Sequence, residues 1–227
     1  MHTALPEAVE INPGEEPRAS IIWLHGLGAD GNDFAPLIPQ LGIVDTLGVR
    51  VVLPHAPHQP VTINSGMVMR AWYDITGMDF RAREDAAGIR ASVAQLGALI
   101  EREIELGIAP ERILLAGFSQ GGAIVLHSGL RYPQRLAGIL VLSAYLPLAA
   151  SLAAERSAAN AEIPILQAHG TQDPVVPLPW ALQSRDCLQE LGYAVDWREY
   201  PMQHAVCPQE VAAIREWIVK VLDGNPE

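Results

Sequence analysis

The sequence predicts an α/β fold: a mostly parallel sheet wrapped by helices on both faces, forming a single domain over residues 1–227. Three observations carry this. Apolar runs of strand length alternate with helix-length segments along the chain. Most of those runs are apolar on consecutive residues rather than on every second one, the mark of strands covered on both faces. The helical segments between them carry one apolar stripe each. Strand–helix alternation of this kind makes parallel sheets with helices packed on both sides.

The strand candidates are Ala19–Leu24, Val49–Leu53, Arg112–Ala116, Leu136–Ser143, Ile163–Ala168 and Val195–Tyr200. Ile89, Val93, Leu96, Ile100 and Ile104 recur at helical spacing and define one helix. Glu84 and Asp85 sit where that helix's dipole favours acid, and Gly107 is placed to end it. Val211, Ile214, Ile218 and Val221 define a C-terminal helix, opened by Pro208 and expected to close at Gly224. Leu136–Ala154 is free of charge, but Gly138, Ser143, Pro147 and Ser151 interrupt it. It reads as a buried strand running into a loop, not as a membrane span. The segment from Leu53 to Glu84 is irregular, with Pro54, Pro57 and Pro60 followed by Met67, Met69, Trp72 and Tyr73. Such a segment inside a compact domain is usually functional. Trp72 and Tyr73 either wall a pocket or plug the edge of the core.

The chain of 227 residues is 49% hydrophobic and carries 15 Lys+Arg against 26 Asp+Glu, a net charge of −11. With no basic block, nucleic acid and anionic membrane surfaces are poor partners. The N-terminus lacks a basic stretch followed by an apolar one, so no secretory signal is expected. Two cysteines, Cys187 and Cys207, lack metal-ligand spacing and read as free thiols in a reducing cytoplasm. The nucleotide-cradling pattern GxxxxGK[ST] is absent, and no phosphate- or dinucleotide-binding role is expected.

The chemistry centres on Gly117-Phe118-Ser119-Gln120-Gly121, between the strand RILLA and the helical segment AIVLHSGL. A serine on a sharp strand-to-helix turn is strained and crowded, and small residues two before and two after relieve the crowding. GxSxG alone is a weak signal; the strand before and the helix after give it weight. Serine at neutral pH needs a base, itself oriented by an acid. In chain order the acid comes first, after a later strand, and Asp173 sits in such a loop, His169–Pro177. An Asp before Pro is also a common turn residue. The base belongs in the loop after the last strand, where His204 is the only histidine beyond position 169. His169 lies beside the acid loop and is expected to line the site, and His127 falls inside the helix after Ser119. His55 and His58 lack the further ligands a metal would need, so no metal site is expected. His25-Gly26 ends the first strong strand, where such a turn supplies one N–H to a developing oxyanion. The N–H of Gln120 supplies the other.

The blocks IIWLHGLGADGNDF, PHAPHQPVTIN, AWYDI, LLAGFSQGGA, SAYLPL, HGTQDPVVP and YPMQH follow one another in the order seen in the carboxylesterase/acyl-protein thioesterase family. The chain resembles that family from about Ile21 to Leu222, and its bacterial short-chain carboxylesterases most. The resemblance implies the α/β-hydrolase fold without a large cap domain. It implies a triad of Ser119, Asp173 and His204, with Leu27 and Gln120 as oxyanion donors. It also implies Trp72 and Val176 near the acyl pocket, no metal or organic cofactor, and a weak homodimer. The expected activity is hydrolysis of short- to medium-chain carboxylic esters, small or lipid-like. Acyl-protein thioesterase or lysophospholipase is the alternative with the same triad. A non-catalytic binding protein on the same scaffold is a third reading, disfavoured by the complete triad.

Overall fold

The computed structural model describes residues 5–77 and 84–223. Gly224, the expected end of the last helix, lies outside them, as do residues 78–83 of the irregular segment. The main sheet has seven strands: β1 (Ala8–Ile11), β2 (Ala19–Leu24), β3 (Val49–Pro54), β6 (Ile113–Phe118), β7 (Gly138–Leu142), β8 (Ile165–Gly170) and β9 (Val195–Tyr200). Their spatial order is β1-β3-β2-β6-β7-β8-β9. Every neighbouring pair is parallel except β1 with β3. A two-stranded antiparallel hairpin, β4 (His58–Val61) and β5 (Met67–Arg70), stands apart inside the segment read as irregular.

The sheet divides the apolar interior in two, and alternation along each strand decides which half a side chain enters. In β2, Ile22 and Leu24 enter one half while Ile21 and Trp23 enter the other. The first half is closed by α3 (Ala86–Glu105), α4 (Gln120–Gly129), α5 (Ala149–Glu155) and α6 (Leu178–Glu190), through Leu96, Ile124, Leu152 and Leu188. The second is closed by α1 (Ile38–Leu41), α2 (Val44–Leu47) and α7 (Pro208–Asp223), through Ile38, Leu41, Ile214 and Trp217. Helices therefore lie on both faces.

Helix α3 begins where its acids suggested: the Asp85 side chain accepts the Gly88 N–H and caps it. Gly107 follows its end with φ +94. The charge-free stretch from Leu136 resolves into β7, a loop and α5. Among the described residues no helix is long and apolar enough to cross a membrane.

The edge strand β1 is tied down by charge. Glu103 of α3, fully buried, pairs with Arg50 at 3.2 Å and Arg102 at 2.9 Å and accepts the Ser20 hydroxyl at 2.8 Å. The same two arginines hold Glu10 of β1, at 2.7 and 2.8 Å. A buried carboxylate persists only with partners of this kind.

Candidate active site

The site lies at the C-terminal ends of β6, β8 and β9, where parallel sheets place their loops. Ser119 occupies the turn from β6 into α4 with φ 54 and ψ −120, angles a side chain rarely tolerates. The turn is compressed on both sides. A Cβ at Gly117 would stand 2.5 Å from the Gly121 backbone, and one at Gly121 would stand 2.3 Å from the Leu24 carbonyl oxygen. Only glycine fits at either position. Helix α4 is buried along its whole length, so the strained serine is fixed from beneath.

Three side chains from three loops meet at this turn. Ser119 Oγ lies 2.9 Å from His204 Nε2. His204 Nδ1 lies 2.6 Å from Asp173 Oδ2. The other carboxylate oxygen, Oδ1, accepts the N–H groups of Val175 at 2.8 Å and Val176 at 2.9 Å. Burial pushes the Asp173 carboxyl up, but the His204 bond and these two N–H groups outweigh it and hold it below the usual value. An ionised carboxylate only accepts, so the His204 proton sits on Nδ1. Its Nε2 lone pair then faces the serine hydroxyl. The Phe118 ring packs against the imidazole with centroids 4.7 Å apart. A serine with this base and this acid is the arrangement that nucleophilic acyl transfer requires.

Two N–H groups are expected as oxyanion donors, those of Gln120 and Leu27. That of Gln120 opens α4, where helix N–H groups have no partner inside the helix. That of Leu27 is set by its neighbour. The fully buried His25 accepts the Ala56 N–H on Nε2 at 3.0 Å, so its proton is on Nδ1, which donates to the Gly26 carbonyl at 2.7 Å. In a planar trans peptide this turns the Leu27 N–H to the opposite side. Burial pulls the His25 pKa down to about 4, so the ring stays neutral in that role.

Trp72 and Val176, expected near the acyl pocket, are both buried. Trp72 joins the core, and its indole N–H donates to the His25 carbonyl at 2.9 Å. It braces the turn on one side of Ser119. Val176 presents its N–H to Asp173 and its carbonyl to His169. His169 itself is completely buried behind Asp173 instead of lining the cleft.

His55 accepts the Gly31 N–H on Nδ1 and so supports a turn. Gly26-Leu27-Gly28-Ala29-Asp30-Gly31 does have the GxGxxG spacing of a dinucleotide-binding turn. Residues 27–28 and 31–37 form turns, however, and the motif does not open a helix as that role requires. Among the described residues no group of three or more His, Cys, Asp or Glu could hold a metal ion. Cys187 and Cys207 are free and half-buried.

The model of the phospholipase/carboxylesterase family matches residues 6–222. The chain belongs to that family. It is a hydrolase of the ester-cleaving kind, on an α/β-hydrolase fold without a large cap domain. It is 43% identical to acyl-protein thioesterase 1 of Neurospora crassa over 213 residues, which is 90% of this chain and 87% of that protein. Among solved structures, Arabidopsis thaliana SOBER1 superposes with a TM-score of 0.85 at 34% identity, covering 90% of this chain and 99% of that one. Zea mays acyl-protein thioesterase 2 superposes equally well, with a TM-score of 0.85 at 28% identity, covering 96% and 99%. Family membership fixes the class of reaction.

Proposed function

We propose that this protein cleaves acyl thioesters and esters through an acyl-enzyme on Ser119. His204 Nε2 takes the hydroxyl proton as Ser119 Oγ bonds to the acyl carbon. The oxyanion so formed is met by the N–H groups of Leu27 and Gln120. On collapse of the tetrahedral species, His204 returns the proton to the departing sulfur or oxygen. Water then gives its proton to His204 while attacking the acyl carbon, and the acid leaves with Ser119 restored. Asp173 keeps His204 in the correct tautomer throughout and stabilises its charged form.

The observation that carries this reading is the unbroken line Ser119 Oγ to His204 Nε2, then His204 Nδ1 to Asp173 Oδ2, at 2.9 and 2.6 Å. For the substrate, the curated relatives at 35–43% identity are acyl-protein thioesterases. They weigh more than the resemblance to short-chain carboxylesterases, and acyl thioesters are placed ahead of short esters. The lack of a large cap domain favours a substrate presented on a protein. The free thiols fit a reducing, cytoplasmic setting.

The test compares kcat/KM for p-nitrophenyl esters from acetate to palmitate with that for long-chain acyl thioesters, beside Ser119→Ala. Thioester turnover at least tenfold above the best ester, with Ser119→Ala silent on both, is the expected result. A peak on short esters with poor thioester turnover would return the function to carboxylesterase. A tenth of the activity surviving in Ser119→Ala would remove Ser119 from the mechanism.

A further inference from the structure

Outside the triad, one titratable side chain faces it from complete burial. His169 stands near the C-terminal end of strand β8, four residues before Asp173. Its Nε2 lies 2.8 Å from the Val176 carbonyl oxygen and 3.5 Å from Asp173 Oδ2. Both of these are acceptors, so the ring's proton must be on Nε2. A proton on Nδ1 would leave two oxygens facing a lone pair. Among the described residues Nδ1 has no hydrogen-bond partner. Burial pulls the His169 pKa down, with the Val176 carbonyl, Asp173 and Glu199 opposing and His204 assisting, which favours the neutral ring.

Its orientation is fixed by neighbours on other elements. Trp197 of β9 lies nearly parallel to it, 14° off with centroids 6.5 Å apart, and Arg185 of α6 lies over the Trp197 ring at 5.3 Å. The loop between His169 and Asp173 is itself anchored, with Thr171 N–H on the Tyr200 carbonyl and Gln172 N–H on the Met202 carbonyl.

We propose that His169 is a positioning residue of the triad: its neutral Nε2–H sets the rotation of the Asp173 carboxylate and so aims His204 at Ser119. The inference rests on the triad reading above. It works through two contacts. Holding the Val176 carbonyl keeps the Val176 N–H on Asp173 Oδ1. The N–H dipole also faces Oδ2, the oxygen that holds His204. Each end of the carboxylate therefore has its own restraint, and the carboxylate cannot swing without breaking one of them.

The experiment compares His169→Phe, which keeps a ring beside Trp197 but has no N–H, with His169→Gln, whose carboxamide N–H reaches about as far as Nε2. Both are measured for kcat, KM and the pH profile of kcat/KM, with folding followed by circular dichroism. His169→Phe is expected to lose roughly 3- to 10-fold in kcat, the scale of one neutral hydrogen bond, with KM within about twofold. Its acid limb should move to higher pH. Without the donor, the charge of Asp173 acts more strongly on its remaining partner, and the coupled pair takes up its proton earlier. His169→Gln should recover most of kcat and the original limb. Wild-type kcat and pH profile in a folded His169→Phe would overturn the proposal, as would a rise in KM at unchanged kcat. If His169→Phe does not fold, His169→Asn replaces it, its N–H one bond too short to reach. Equal activity of the Asn and Gln variants would then overturn it. Ser119→Ala in the same assay separates the two levels: activity there sinks the triad itself, whereas silence there with an indifferent His169 sinks only this inference.

Discussion

The main-chain N–H of Trp72 donates to the carboxamide oxygen of Gln120, 2.8 Å away and 48 residues further along the chain. Gln120 answers with a bond from Nε2 to the Tyr73 carbonyl at 2.6 Å. The same Trp72 reaches across with its indole to the carbonyl of His25. One short segment thus clasps both shoulders of Ser119, the turn after β2 and the start of α4. Gln120→Ala keeps the main-chain N–H proposed for the oxyanion but loses the clasp. It is expected to lower kcat by about tenfold with little change in KM, the pattern of a contribution made in the transition state. Trp72→Phe should do the same from the other side. In the double variant the losses should overlap rather than multiply, because both break one brace. Steady-state kinetics on the four proteins decides it, and fully multiplicative losses would show that the two residues act separately.

Asp173→Asn leaves the shape of the acid loop and removes its charge. The amide N–H would face His204 Nδ1 and force the proton to Nε2, where the ring can no longer accept from Ser119. The expected loss in kcat is on the order of 10⁴-fold, with an unchanged circular dichroism spectrum. Stopped-flow acylation shows whether the loss falls on the first chemical step, as this account requires.

Two glycines should respond in opposite directions to alanine. Gly121→Ala drives a Cβ into the Leu24 carbonyl, and the protein should be recovered poorly or melt far below wild type. Gly97, in the middle of α3, has open space around its missing Cβ. Gly97→Ala should stabilise by roughly 0.5–1 kcal/mol, the cost of glycine in a helix interior. Urea melts of both variants are the measurement.

Stability should fall on either side of neutrality, for different reasons. Burial lowers His25 and His127 to about 4 from an ordinary 6.5. The folded protein then binds fewer protons than the unfolded chain, so the stability present above pH 6.5 drains away as pH falls toward 4. Glu210, at the start of α7, is the reverse. Burial pushes its pKa up to about 8 from 4.5, opposed only in part by the Cys207 main-chain N–H. The stability it allows below pH 4.5 is lost as pH rises through 8. Glu210→Gln removes that loss and should raise stability at pH 8 by about 4 kcal/mol, with little effect near pH 4.5. Equal gains at both values would point to packing rather than ionisation.

Strands buried on both faces are legible as apolar runs, which is why β2 has the bounds its sequence suggests and β3, β6, β7 and β8 lie within about two residues of theirs; β9, at the sheet edge and with no fully buried residue, also has the bounds expected of it. The turn at Ser119 is legible because sterics there admit so few residue types. Elements whose partners come from far away are not. Helix α6 buries Ala181, Ser184 and Leu188, a stripe too small and polar to stand out. The β4–β5 hairpin includes Pro60 and exposes Met67 and Val68, so nothing in it alternates. The work of Trp72 and His169 depends on hydrogen bonds to main-chain carbonyls, which carry no signature in the sequence.

Strand β1 has a consequence beyond the catalytic site. Without it, β3 would offer six residues of unpaired backbone between side chains such as Val49, Val51, Val52 and Leu53, a template onto which a second molecule could add a strand. Four residues, clamped through Glu10 by two arginines, occupy that position. The charge cluster at Glu103 therefore holds in place the strand that covers this edge, and a chain without its first eleven residues is expected to aggregate more readily, which light scattering would show.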